Sequence, residues 1–222
     1  MAAILNFSKN ILTVAKSFGV KAAFESCADI ARERILLSRK HLLFALDPKA
    51  FIPTNKSFPE IEFLVVAPTE LEPYAKNDTF ELTQEFLNSV GSARAVVARN
   101  VKDQSLLAYG FFSRDPVAIA GEVIFEPPPA SIYLFKFFVV PEARGAQLVR
   151  ELVAKIIKAE QAIPSSVIVA IIISANYVSQ AAFGAMGFRQ QFGFLVRQGE
   201  RSVVRCCLQD RQSGSELLKR VE

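Results

Sequence analysis

The most constraining feature of this chain is an unbroken apolar run from Val167 to Ile173, flanked by Pro164 and Asn176. A strand with one solvated face alternates apolar and polar residues, so a continuous run signals a strand covered on both faces. Covering a strand twice needs a layer above and a layer below, and helices flanking a sheet supply both. The rest of the pattern agrees. Ser131 to Val140 (SIYLFKFFVV) reads as a second long strand. Leu148, Leu152, Val153, Ile156 and Ile157 share one face of a helix expected from Ala146 to Glu160. A short helix from Tyr177 to Met186 should stop at Gly187.

Upstream, HLLFAL from His41 and IEFLVVA from Ile61 read as strands. Thr79 can cap a helix running to Val90, and Ala93 to Phe112 forms a hairpin around Val101-Lys102-Asp103-Gln104. AIAGEVIF, from Ala118, is a further strand. Downstream, FGFLVRQGERSVVRCCL should close the chain as a hairpin around Gln198-Gly199-Glu200. Residues 4–37 read as two amphipathic helices about Gly19. The expected organisation is therefore a helical extension over 1–40 and one mixed α/β domain over 41–222, with helices on both faces of the sheet.

Composition removes several classes of function. The 222 residues are 51% hydrophobic and 22% charged, which excludes a disordered chain and is enough for one core without a metal or disulfide staple. One histidine, His41, excludes a zinc site built on several histidines, and no metal is expected. Any histidine-based nucleophilic machinery would have to run through that residue. Cys27, Cys206 and Cys207 show no CxxC spacing, so reduced thiols and a cytoplasmic setting are expected. A net charge of +4 without a concentrated basic patch gives no nucleic-acid partner. No apolar run approaches the ~20 residues of a membrane-crossing helix.

The chemistry-bearing stretch is Phe138-Val139-Val140-Pro141-Glu142-Ala143-Arg144-Gly145. A strand runs through a glycine turn straight into a helix, whose first N–H groups have no partner within the helix and carry partial positive charge. Such a junction can cradle phosphate, and Arg144 would add a full charge. The same residues would equally make a plain turn. Asn176, just past the buried strand, is followed by Ser179, Phe183 and Gly187-Phe188. Its amide can meet an amide-bearing ligand or simply cap the helix.

In order and separation these segments resemble the GNAT superfamily of N-acyltransferases over roughly residues 94–208. AVVARNVKDQSLLAYGFF is similar to the family's second and third strands, and FFVVPEARG to its fourth strand and pyrophosphate loop. IIISANYVSQAAFGAMGF is similar to its fifth strand and the helix that follows. The resemblance implies a mostly antiparallel sheet splayed between its fourth and fifth strands, with acyl-CoA, acetyl-CoA first, as substrate in the opening. Phe138, Val139 and Val140 would hold the pantetheine arm. Arg144, Gly145, Ala146, Gln147 and Val149 would surround the pyrophosphate, and Asn176, Ser179 and Phe183 would lie near the thioester. A small-molecule or peptide amine would attack directly.

The chain departs from the family at informative places. Gln147 stands where the loop has its glycine, and Val149 where it has a small residue. Phe183 replaces the tyrosine that often protonates the departing thiolate, and Phe135 the glutamate often found on the fourth strand. Tyr133 and Glu122 are the substitutes left for proton transfer, and a core-edge phenol and a solvated carboxylate account for them as well. These departures keep two alternatives open. One is an acyl-carrier-protein donor, as in N-acyl amino acid or acyl-homoserine-lactone synthases. The other is a non-catalytic acyl-CoA-binding module. A homodimer is the assembly left open.

Overall fold

The computed structural model describes residues 14–28, 31, 38–119, 123–145, 147–160, 167–197, 202–208 and 218–221. Helix α1 spans 14–28. It is followed by β1 (Ser38–Leu46), β2 (Ile61–Val66), α2 (Gln84–Ser89), β3 (Arg94–Asn100), β4 (Leu106–Ser113), β5 (Val117–Ile119) and β6 (Val123–Glu126). Then come β7 (Ile132–Val139), α3 (Leu148–Ala159), β8 (Ile168–Ile173), α4 (Tyr177–Ala185), β9 (Arg189–Arg197), β10 (Ser202–Leu208) and β11 (Leu218–Val221).

The buried run becomes β8, inside a seven-stranded sheet of order β2-β3-β4-β7-β8-β1-β9. Every neighbouring pair in it is antiparallel except β7 with β8. On one face lie α3 and α4. Leu148, Leu152, Val153 and Ile156 of α3 are buried there against Val96, Ala98, Ala108, Leu134 and Ile168. At roughly 1.5–3 kcal/mol for each fully buried aliphatic side chain, this stripe anchors α3 to the sheet. The opposite face carries Leu82 and Leu87, from in and around α2, over Ala95, Val97, Tyr109 and Phe111. The expected mixed α/β sheet, covered on both faces, is the observed one.

The final hairpin is not. β9 pairs with β1, while β10 joins β11 and runs parallel to β6 in a separate four-stranded sheet. The residues explain the exchange. Leu42 to Leu46 (LLFAL) are all buried, so β1 needs partners at both edges and cover on both faces. It takes the place between β8 and β9, pairing Leu43 with Ile171 and Phe192. The β10 sequence carries Arg205 in mid-strand and suits a double-sided core less well. β1 begins at Ser38, three residues before the expected boundary at 41, and is integral to the sheet.

Other boundaries move for local reasons. Thr79 falls in a single 3-10 turn, and the α2 cap is Thr83, whose Oγ1 accepts from the Phe86 N–H at 3.1 Å. Between them Glu81 has φ +52°, a left-handed conformation outside the dihedrals of a regular right-handed α-helix. Helix α3 starts at Leu148 rather than Ala146, since Gly145 (φ +80°) and Gln147 (φ +66°) are also left-handed. AIAGEVIF folds as two antiparallel strands, β5 and β6, rather than one. Two helices about Gly19 are expected before residue 38; among the described residues a single helix, α1, runs on through Gly19, with residue 31 also helical.

Candidate active site

Two irregularities in β7 make the site. The strand pairs with β8 only at Ile132, Tyr133 and Leu134, opposite Ile168, Val169 and Ala170. Beyond Leu134 the two strands part. In the same stretch the register with β4 shifts between Tyr109 and Phe111, and Lys136 adopts φ +52°, so β7 carries a bulge. Gly110 faces it. A Cβ there would lie 2.6 Å from the Phe137 ring, so only glycine leaves room for that ring. The sheet is thus splayed between its fourth and fifth strands, as the resemblance implies.

A cavity of about 600 Å³ occupies this region. β7 supplies Phe137, Phe138 and Val139 to its wall. The following loop and α3 supply Ala143, Arg144, Gly145, Gln147, Leu148, Val149 and Arg150. From α4 and its end come Val178, Ser179, Ala182, Phe183, Ala185 and Met186, and Glu81 enters from the turn before α2. Most of the lining is apolar, with a few charged groups, as small-molecule sites usually are.

At one side of the cavity is the N-terminus of α3. No side chain caps it, whereas α2 and α4 are capped by Thr83 and Asn176. Uncapped N–H groups at the start of a three-turn helix can receive an anion. Arg144 is exposed beside them, its Nε donating to the Val139 carbonyl at 3.3 Å. Gln147 keeps the left-handed backbone that a glycine would adopt, and its Oε1 accepts from Thr54 Oγ1 at 2.8 Å. The loop carrying Thr54 is itself tied down. The Ile52 N–H donates to the Met186 carbonyl at 3.1 Å, and Gly187 (φ +100°) lies so close that a Cβ would meet the Ala50 carbonyl at 2.6 Å. Arg150, on α3, donates from Nη2 to the Ala185 carbonyl at 2.9 Å, bracing α3 against α4.

Of the residues expected at the site, Phe138, Val139, Arg144, Gly145, Gln147, Val149, Ser179 and Phe183 line the cavity. Val140 and Asn176 do not. Val140 is buried, with its N–H donating to the Leu107 carbonyl, and Asn176 caps α4, its Oδ1 accepting from the Ser179 N–H at 3.0 Å. Ala146 and Glu122 lie outside the described residues. Tyr133 is buried among aromatic rings away from the cavity lining, 4.7 Å from Phe125 and 5.3 Å from Phe135 between centroids. Burial pushes its phenol far above the usual range, which keeps it protonated. His41 is buried and stacks on Phe194 at 5.5 Å, well inside the sheet.

Phe183 is 5% exposed and packs edge-on against Phe137 (5.9 Å) and Phe188 (4.9 Å). It supplies shape and no proton. Nine lining residues lie outside the expected set, Phe137 and Glu81 among them. For Phe137 the available signal was Gly110 in the middle of an otherwise strong strand, a mark of close approach. Glu81 had no such signal.

No family model matches the chain, and no curated protein sequence matches it. Solved structures do. A functionally unknown conserved protein from Staphylococcus epidermidis is 10% identical with a TM-score of 0.51, over 76% of this chain and 64% of its own. A GCN5-related N-acetyltransferase from Kribbella flavida is 13% identical with a TM-score of 0.45, over 68% of this chain and 54% of its own. An aminoglycoside N-acetyltransferase in complex with CoA is 15% identical with a TM-score of 0.45, over 67% of this chain and 99% of its own. The chain thus spans less than two thirds of the first two. Among the described residues no helix is long and apolar enough to cross a membrane.

Proposed function

We propose that this chain is a GNAT-type N-acyltransferase that moves an acyl group, acetyl first, from acyl-CoA to an amine. The observation that carries the reading is the parting of β7 from β8 at the bulge, which opens a cavity bounded by the uncapped N-terminus of α3. A pantetheine arm is a narrow chain with amide groups. A strand edge released from its neighbour, beside an apolar wall, suits it on both counts. The CoA phosphates would meet the α3 N–H groups and the exposed Arg144.

The chemistry asks little of the protein. A neutral amine adds to the thioester carbonyl, the tetrahedral adduct expels the thiolate, and the amine gives its proton to water. No covalent enzyme intermediate forms. Phe183 and Phe137 would fix the arm, and the rate enhancement would come from positioning. The test is thiol release from acetyl-CoA in the presence of amines, with CoA binding measured by calorimetry. Arg144→Ala should weaken CoA binding by about 1.5–3 kcal/mol, the scale of a charge-assisted hydrogen bond. An unchanged affinity would remove the phosphate contact.

A second reading rests on the Thr54–Gln147 hydrogen bond, which keeps a side chain where the family's loop has glycine. If that contact restricts access to free CoA, the donor is an acyl-carrier protein, whose phosphopantetheine has a single phosphate. Comparing the two donors in one assay separates the readings.

A further inference from the structure

The cavity has one acidic side chain in its lining, Glu81. Its backbone is pinned. The Tyr109 phenol donates to the Phe80 carbonyl at 2.5 Å, and the Phe80 ring packs edge-on against Tyr74 (5.1 Å) and Phe138 (6.4 Å). Phe138 belongs to β7 just past the bulge, so the pinned turn stands over the stretch of strand that has left β8. Glu81 itself holds φ +52°, a left-handed conformation that strains a non-glycine residue. The described charges make no internal use of this carboxylate. Ion pairs join Arg94 and Arg114 to Glu160 and Lys102 to Glu60, and none among the described residues involves Glu81. Its charge lies close enough to Tyr109 to add to the effect of burial in raising that phenol. A carboxylate kept exposed at a cavity, on a strained and anchored backbone, with no ion-pair partner among the described residues, is arranged for a cation from outside.

We propose that Glu81 binds a positively charged group of the acceptor, so that the amine acylated here carries a second cationic group. The inference rests on the acyl-transfer reading. The attacking nitrogen has to be neutral, so a carboxylate that held it as an ammonium would hinder the reaction. Glu81 therefore serves a different nitrogen of the same molecule. Diamines and basic peptides fit, and amines with a neutral tail lack the contact.

Two probes of equal carbon number isolate that charge: 1,5-diaminopentane and pentylamine. With wild-type protein and acetyl-CoA, kcat/KM should favour the diamine by about tenfold or more, the scale of one charge-assisted contact. Glu81→Gln should bring the ratio close to one. Glu81→Gly should do the same while relieving the left-handed strain, so a loss of selectivity in a protein at least as heat-stable as wild type cannot come from misfolding. Diamine binding to the CoA-loaded protein, followed by calorimetry, gives a readout independent of turnover. If no amine is acylated but diamine binding depends on Glu81, the acyl-transfer reading fails and the cation site stands. Equal preference for the two probes in wild type, or a preference that survives Glu81→Gln, overturns the proposal. So does diamine binding that is absent or indifferent to Glu81.

Discussion

Replacing Gly110 by alanine tests the link between the β7 bulge and the cavity. A Cβ on residue 110 would lie 2.6 Å from Phe137 Cε1 and 2.7 Å from Cδ1 and Cζ, where carbon atoms prefer about 3.5–4.0 Å. The whole edge of the ring would have to retreat by about 1 Å. It cannot do so freely, because Phe183 packs against it at 5.9 Å and is itself held by Phe188. Overpacking of this kind costs about 1–3 kcal/mol. In a chain of this size each kcal/mol lowers Tm by about 2–4 °C, so a cost near 2 kcal/mol predicts a fall of about 4–8 °C. CoA binding should weaken as well, since the displaced ring lines the cavity. The assay is thermal unfolding with and without CoA, beside calorimetric titration. Gly110→Ala combined with Phe137→Leu should recover part of the stability through a coupling of at least ~0.5 kcal/mol. Unchanged Tm and unchanged CoA affinity in the single variant would refute the account of the bulge.

Phe183→Tyr restores a phenol at nearly constant volume and should raise turnover by less than about tenfold, because positioning rather than proton supply limits the rate; thiol release at saturating donor shows it. Phe183→Ala should instead weaken donor binding and cost about 3–5 kcal/mol of stability, as removal of a buried ring does. Gln147→Gly relieves a left-handed residue but loses the Thr54 hydrogen bond. Stability should change by less than about 1 kcal/mol while free CoA binds more tightly, and weaker binding would mean that the Gln147 amide itself contacts the donor. Tyr133→Phe should leave turnover within about twofold, since the phenol is buried outside the cavity lining; a large loss would return Tyr133 to the mechanism.

What could be read beforehand and what could not divides along physical lines. β8 was legible because its burial is written in an uninterrupted apolar run, β7 because its long apolar stretch is broken only by Lys136, and Asn176 and Gly187 marked the ends of α4 by local backbone chemistry. Partner choice was not legible. β1 and β10 both read as strands, and proximity in sequence favoured pairing β9 with β10. The double-sided burial of Leu42 to Leu46 decided otherwise, and that is a comparison of distant segments. Residues with left-handed backbones were missed for a related reason. Glu81, Lys136 and Gln147 are poor choices for φ near +50 to +70° and give no sign of it in their identities. Of the five non-glycine residues with positive φ among the described ones, Glu81 and Gln147 line the cavity and Lys136 forms the bulge beside it, while Gln104 and Ala130 lie in connections outside it. Local rules fail most often where a site is built.

The most direct test of the central claim is amide hydrogen exchange of the whole chain with and without CoA. The account predicts that CoA slows exchange in peptides covering 137–150 and 177–186, the β7 edge, the loop into α3, and α4, and that Arg144→Ala reduces this protection. Exchange that CoA leaves unchanged there, or protection confined to other parts of the sheet, would contradict it.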